Sequence, residues 1–161
     1  MTPPRILVDA DACPVKDEIY RVAWRLNLAV VIVANARIRI PEHPLVSRVV
    51  VTDGFDAADD WIAGEAGPRT IVVTADILLA DRCLKAGALV TGPSGKPFTA
   101  AMIGGAVATR AIMADLRSGL GAKDGGGIGG PPPFTAKDRS AFLQTLDRMA
   151  MQMLRAADGA T

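Results

Sequence analysis

Apolar residues in the first 92 positions fall into five short runs: Ile6-Leu7-Val8, Val30-Val31-Ile32-Val33, Val49-Val50-Val51, Ile71-Val72-Val73 and Ala88-Leu89-Val90. The runs are continuous rather than alternating, and most are rich in β-branched residues. Strands covered on both faces, as in a parallel sheet, read this way. Between most of them the spacing changes to that of a helix. Val15, Ile19, Val22, Ala23 and Leu26 make one stripe, with Lys16, Asp17, Arg21 and Arg25 off it and Pro14 in the first turn. Phe55, Ala58 and Ile62 share a face ahead of Gly67-Pro68, and Leu79, Ala80, Cys83 and Leu84 share another ahead of Gly87. Strands alternating with helices imply right-handed crossovers, so the expectation is a three-layer α/β domain built on a parallel sheet.

The link between the second and third runs differs. Residues 35–48 contain Arg37-Ile38-Arg39-Ile40, then Pro41 and Pro44, with no helical pattern. Connections of that length usually carry function. The last third reads as helix. Residues 99–118 are rich in Ala, with Gly104-Gly105 weakening the middle, and a Gly/Pro run covers residues 119–134. Thr135 with Asp138 forms a capping-box variant that opens a final helix carrying Phe142, Leu146, Met149 and Met153 in register. The expected organisation is an α/β domain over residues 1–118, a linker over 119–134 and C-terminal helical residues 135–161. That last helix packs on the same domain or on a partner subunit, which leaves a homodimer among the expectations.

Length and composition bound this picture. The chain of 161 residues, half of them hydrophobic, suffices for one domain with its own core. With 18 basic and 17 acidic residues, it does not bind nucleic acid by net charge alone. Cys13 and Cys83 form no C-x-x-C pair, so neither a zinc knuckle nor a disulfide framework is indicated. The N-terminal apolar run is too short for a signal peptide, and no run approaches a membrane span. The expected setting is the cytoplasm, away from membranes.

Position makes the acids informative. The first run leads into Asp9-Ala10-Asp11-Ala12-Cys13-Pro14, the third into Asp53-Gly54-Phe55-Asp56-Ala57-Ala58-Asp59-Asp60, and the fourth into Thr74-Ala75-Asp76; the second leads to Asn35. In an open α/β sheet these are the strand ends beyond which ligands bind. Each acid has a structural alternative: Asp11 and Asp76 can cap helices, and Asp56 and Asp60 suit a first turn. Capping does not account for Asp9, nor for the same pattern after three strands. Converging carboxylates repel one another unless a cation joins them, and oxygen donors without His or Cys favour Mg²⁺ or Mn²⁺. Asp59 is expected to lean inward and Asp60 away from the site.

The stretch Asp9-Ala10-Asp11-Ala12-Cys13-Pro14 resembles the opening signature of the YaiI/YqxD family of bacterial proteins. Val33-Ala34-Asn35, Gly54-Phe55-Asp56-Ala57-Ala58-Asp59, Thr74-Ala75-Asp76-Ile77 with Leu79-Ala80, and the Gly/Pro stretch before Phe134-Thr135 and Asp138-Arg139 match it further. That family is regarded as similar to PIN-like domains, a superfamily of metal-dependent nucleases. The resemblance implies a parallel sheet with acids at its C-terminal edge, Asp9, Asp59 and Asp76 as metal-binding and catalytic acids, and Asp11 as a further catalytic acid. Asn35, Asp56 and Thr74 are polar support. Many PIN-like nucleases carry another acid after the next strand, where this chain has Val90-Thr91-Gly92.

The expected function is therefore Mg²⁺- or Mn²⁺-dependent cleavage of phosphodiester bonds in RNA or single-stranded nucleic acid, with Arg37, Arg39 and Arg48 on phosphates. Two alternatives stand beside it. One is a module that binds metal, RNA or protein without cleavage. The other is a phosphatase of the haloacid-dehalogenase type using Asp9 and Asp11, for which the later paired acids are missing.

Overall fold

The computed structural model describes residues 3–10, 14–52, 54, 56–102, 104 and 134–159. Asp11, Cys13, most of the helix expected over residues 99–118 and nearly all of the Gly/Pro run lie outside them.

Strands β1 (Arg5–Asp9), β2 (Ala29–Ala34), β3 (Val46–Val50), β4 (Thr70–Val73), β5 (Leu89–Thr91) and β6 (Pro97–Phe98) form one sheet in the order β3-β2-β1-β4-β5-β6. All neighbours are parallel except the β5–β6 pair. Helices α1 (Lys16–Leu26), α2 (Ala57–Glu65), α3 (Ile77–Lys85) and α4 (Ala136–Gly159) cover the faces.

Alternation along each strand sorts the core into two layers. Ile6, Val8, Val30, Ile32, Ile71 and Val73 face α1 and α4, where they meet Ile19, Val22, Phe142 and Leu146. Leu7, Val31, Val33, Val72 and Val90 face α2 and α3, where they meet Ala58, Ile62, Leu79 and Cys83. The central strands are therefore apolar at successive positions, as the sequence implies. β3 is an edge strand with only Val46 buried, and it begins three residues before the Val49-Val50-Val51 run. The short β6 carries no apolar run of its own. It forms because residues 92–96 turn the chain back, with the Gly92 N–H donating to the Lys96 carbonyl at 3.1 Å.

The helix-free link between β2 and β3 works as a strap on the α1 side. Ile38 and Ile40 pack against that layer while Arg37 and Arg39 stay exposed. The Arg48 guanidinium donates to the Ile38 carbonyl at 2.8 Å. At the strap's far end the His43 ring stacks on Trp24, which stacks on Tyr20, with centroids 4.6 and 5.6 Å apart. Packed side chains thus replace the crossover helix that a parallel pair ordinarily uses.

α4 docks on α1 through Phe142, Leu146, Met149 and Met153, all buried. Its first turn is closed reciprocally: the Asp138 N–H donates to Thr135 Oγ1 at 3.2 Å, and the Thr135 N–H donates to Asp138 Oδ2 at 3.0 Å. Arg139 donates to the Pro14 carbonyl at 3.0 Å and to Glu18 Oε1 at 3.1 Å, tying the helix to the start of α1. Arg25 pairs with Asp147 further along. Among the described residues, no helix is long and apolar enough to cross a membrane.

Candidate active site

The chain reverses direction across the sheet at β1. α1 leads from it toward β2 on one face, and α3 leads from its neighbour β4 toward β5 on the other. Crevices form at such a switch point beyond the carboxyl ends of the strands. Asp9 ends β1 there, and Thr74-Ala75-Asp76 follows β4. By alternation Asp9 shares the side of Leu7, so it lies toward α2 and α3.

Asp9 is only 7% exposed. Its Oδ2 accepts a hydrogen bond of 2.8 Å from the buried Thr74 hydroxyl. The same Thr74 oxygen accepts from the Asp76 N–H at 3.0 Å, so one side chain locks the end of β1 to the turn after β4. Asp76 caps α3: its Oδ1 accepts from the Leu78 N–H at 2.8 Å and from the Leu79 N–H at 3.2 Å. The capping alternative weighed for Asp76 is thus real. Both bonds fall on one oxygen, and Oδ2 remains for a ligand. A cleft-lining acid and a cap coincide here because a strand end leads directly into a helix start.

Asp56, Asp59, Asp60, Asp76, Leu79 and Arg82 are among the residues lining a cavity of about 380 Å³ between α2 and α3. The Asp59 carboxyl is pushed up from 3.8 to about 6, first by burial and then by the charges of Asp76, Asp9 and Asp56, with Arg82 opposing. Asp56, Asp59 and Asp76 line the cleft, and the buried Asp9 acts on Asp59 from the end of β1. Asp60 does not turn away, as its helical position suggests. It pairs with Arg82 at 2.9 Å on the rim. Arg82 is the residue sequence reasoning missed. It stands four positions after Leu78, on the same face of α3, which was the available signal.

The remaining sequence candidates are distributed more widely. Asn35 follows β2 in an exposed position at the same edge of the sheet. Among the described residues, Arg37, Arg39 and Arg48 form no ion pair with the acids, and Arg48 braces the strap. Asp81 pairs with Lys85 at 2.9 Å one turn along α3 and is a surface acid. Cys83 is wholly buried, and burial pushes its thiol up to about 11, so it is not a nucleophile. Thr91, where a further acid would stand, is also buried, and its hydroxyl donates to the Gly92 carbonyl at 3.0 Å.

Oxygen donors that raise one another's proton affinity fit a hard divalent cation better than zinc. Among the described residues, no three His, Cys, Asp or Glu side chains are grouped closely enough to hold an ion by themselves. A cation in the cleft would therefore complete its coordination with solvent or substrate oxygens, as Mg²⁺ commonly does.

Fold and cleft together define a doubly wound α/β domain with an acidic crevice at its switch point. The chain belongs to the family described as "Uncharacterized BCR, YaiI/YqxD family", whose sequence model matches residues 7–152. It is 65% identical over 155 residues to a UPF0178 protein of Sphingopyxis alaskensis, covering 96% of this chain and 98% of that one. It is 54% identical over 156 residues to a UPF0178 protein of Nitrobacter winogradskyi, covering 97% and 96%. A UPF0178 protein of a Bradyrhizobium species is 55% identical over 153 residues, covering 95% and 90%. No solved structure matches the chain.

Proposed function

We propose that the cleft is a divalent-cation site of the PIN-like type and that the protein hydrolyses phosphodiester bonds in RNA or single-stranded nucleic acid. The observation that carries this reading is the electrostatics of Asp59. Burial first, and then the charges of Asp76, Asp9 and Asp56, raise the Asp59 carboxyl to about 6, and acids from separate segments that line one cleft with Asp59 are the arrangement a divalent cation would relieve.

Asp9, Asp59 and Asp76 are the residues assigned to the cation. Mg²⁺ or Mn²⁺ bound there would supply Lewis acidity toward a phosphate oxygen and lower the pKa of water. Asp9 contributes a fixed anionic oxygen, held by Thr74 and shielded from solvent. Asp76 is oriented by the two α3 amides that hold its other oxygen. Asp59 would give up its proton on binding a cation, so the site would fill more readily above pH 6 than below it. Asp11 is assigned to orienting that water, and Asn35, Asp56 and Thr74 to polar support. Arg37 and Arg39, exposed on the strap, are assigned to phosphate contacts, with Arg48 holding the strap in place.

Cleavage of end-labelled RNA with Mn²⁺ tests the proposal. Cleavage by the wild type and its loss in Asp9→Asn and Asp76→Asn is the expected outcome; equal cleavage by the variants refutes it. Thr91 in place of a further acid favours a second reading, a module that binds without cutting. Retention of RNA on a filter with intact product after long incubation with Mn²⁺ distinguishes it. Turnover of a simple phosphate monoester would instead favour the phosphatase alternative.

A further inference from the structure

A cavity larger than the acidic one, of about 530 Å³, opens at the opposite end of the sheet between the end of α2 and the starts of β1 and β4. Two arginines line it, Arg5 of β1 and Arg69 of the turn before β4. Arg5 is the register partner of Thr70, and its N–H donates to the Arg69 carbonyl at 3.1 Å, so the backbones of Arg5 and Arg69 are adjacent at the cavity. Arg5 is largely neutralised: it donates to Glu65 Oε1 at 3.1 Å and to the Glu65 carbonyl at 3.2 Å, covering the negative end of α2. Arg69 has no carboxylate partner among the described residues. Among the described residues the Nε of each arginine has no hydrogen-bond partner, but it is closed off from solvent, so contacts with a ligand in the cavity fall to the terminal guanidinium nitrogens. The charged groups lining the cavity are therefore Arg5, Arg69 and Glu65, leaving one positive charge uncompensated. Across from them the wall is open. A Cβ built at Gly64 or Gly67 would meet nothing within 4 Å.

The planar fork of an arginine that has no carboxylate partner among the described residues matches the oxygens of a phosphate. The geometry points to a phosphate-binding site here, formed by Arg69 with Arg5 and separate from the acidic cleft. The single uncompensated charge matches a phosphate carrying one negative charge, and the third oxygen of a phosphate gives it one more acceptor than a carboxylate has. The volume exceeds that of inorganic phosphate and leaves room for the rest of a phosphate monoester.

The test uses the full chain labelled with ¹⁵N, in EDTA, so that it does not depend on the nuclease reading. Inorganic phosphate, adenosine 5′-monophosphate and adenosine are titrated against chloride at matched ionic strength. Phosphate and the monophosphate should shift the Nε–H resonances of Arg5 and Arg69 and the amides of residues 64–70 saturably, with no shift from adenosine. Tighter binding of the monophosphate identifies an ester as the ligand, and equal binding identifies the free ion. Arg69→Gln should weaken the affinity at least tenfold with spectral dispersion retained, and Arg69→Lys, which keeps the charge but loses the fork, should fall between. Shifts matched by chloride alone, or wild-type affinity in a folded Arg69→Gln, would overturn the assignment.

Discussion

Replacing Asp59 with Asn should stabilise the metal-free protein at neutral pH. The unfolded chain holds the Asp59 proton to the ordinary value of 3.8, whereas the folded chain holds it to about 6. Between those values the folded state binds more protons. Stability contributed by this group is therefore full below pH 3.8, falls as pH rises to about 6 and stays low above. A displacement of roughly two pH units corresponds to a ceiling of about 3 kcal/mol. Much of the side chain faces solvent, where water and salt weaken the repulsion, so about 1 kcal/mol is the expected gain. For a chain of this size that raises Tm by roughly 2–4 °C. Thermal unfolding in EDTA at low salt should show that rise at pH 7.5 and none at pH 3.5. Adding Mn²⁺ at pH 7.5 should reverse the order, because the wild type gains from a ligand that the variant has partly lost. An Asp59→Asn protein that is less stable than wild type at pH 7.5 in EDTA would refute the argument from burial and repulsion of the charged carboxylate.

Three further outcomes follow from the packing. Thr74→Val keeps volume but deprives buried Asp9 of its 2.8 Å donor; urea unfolding should show a loss of about 1–3 kcal/mol at pH 7.5. Gly95 has φ +85°, and a Cβ there would lie 2.5 Å from the Ala141 carbonyl carbon of α4. Gly95→Ala should therefore loosen α4, seen as faster amide exchange along residues 136–154, while Gly64→Ala should leave exchange unchanged. In a Cys13→Ala background, the remaining thiol of buried Cys83 should react with a disulfide reagent only at the rate of unfolding; fast reaction in the folded state would contradict its position.

The two layers, the parallel centre of the sheet and the helices over it were legible because each depends on local pattern. Continuous β-branched runs can be covered only on both faces, and the α1, α3 and α4 stripes repeat at helical spacing. The acids were legible as candidates because strand ends can be found from sequence, and strand ends are where such sheets bind ligands. Strand order, however, depends on which crossover passes over which neighbour, and no residue encodes that alone. It placed β1 beside β4, and so Asp9 beside Thr74 at 65 positions' separation. Only tertiary structure showed that Asp76 caps α3 while lining the cleft, that Asp60 turns to Arg82, and that a strap replaces a crossover helix. It alone brought Arg5 and Arg69 to one cavity. Periodicity fixes which face of an element is buried, but the long-range electrostatics that raise Asp59 exist only once separate segments share a cleft.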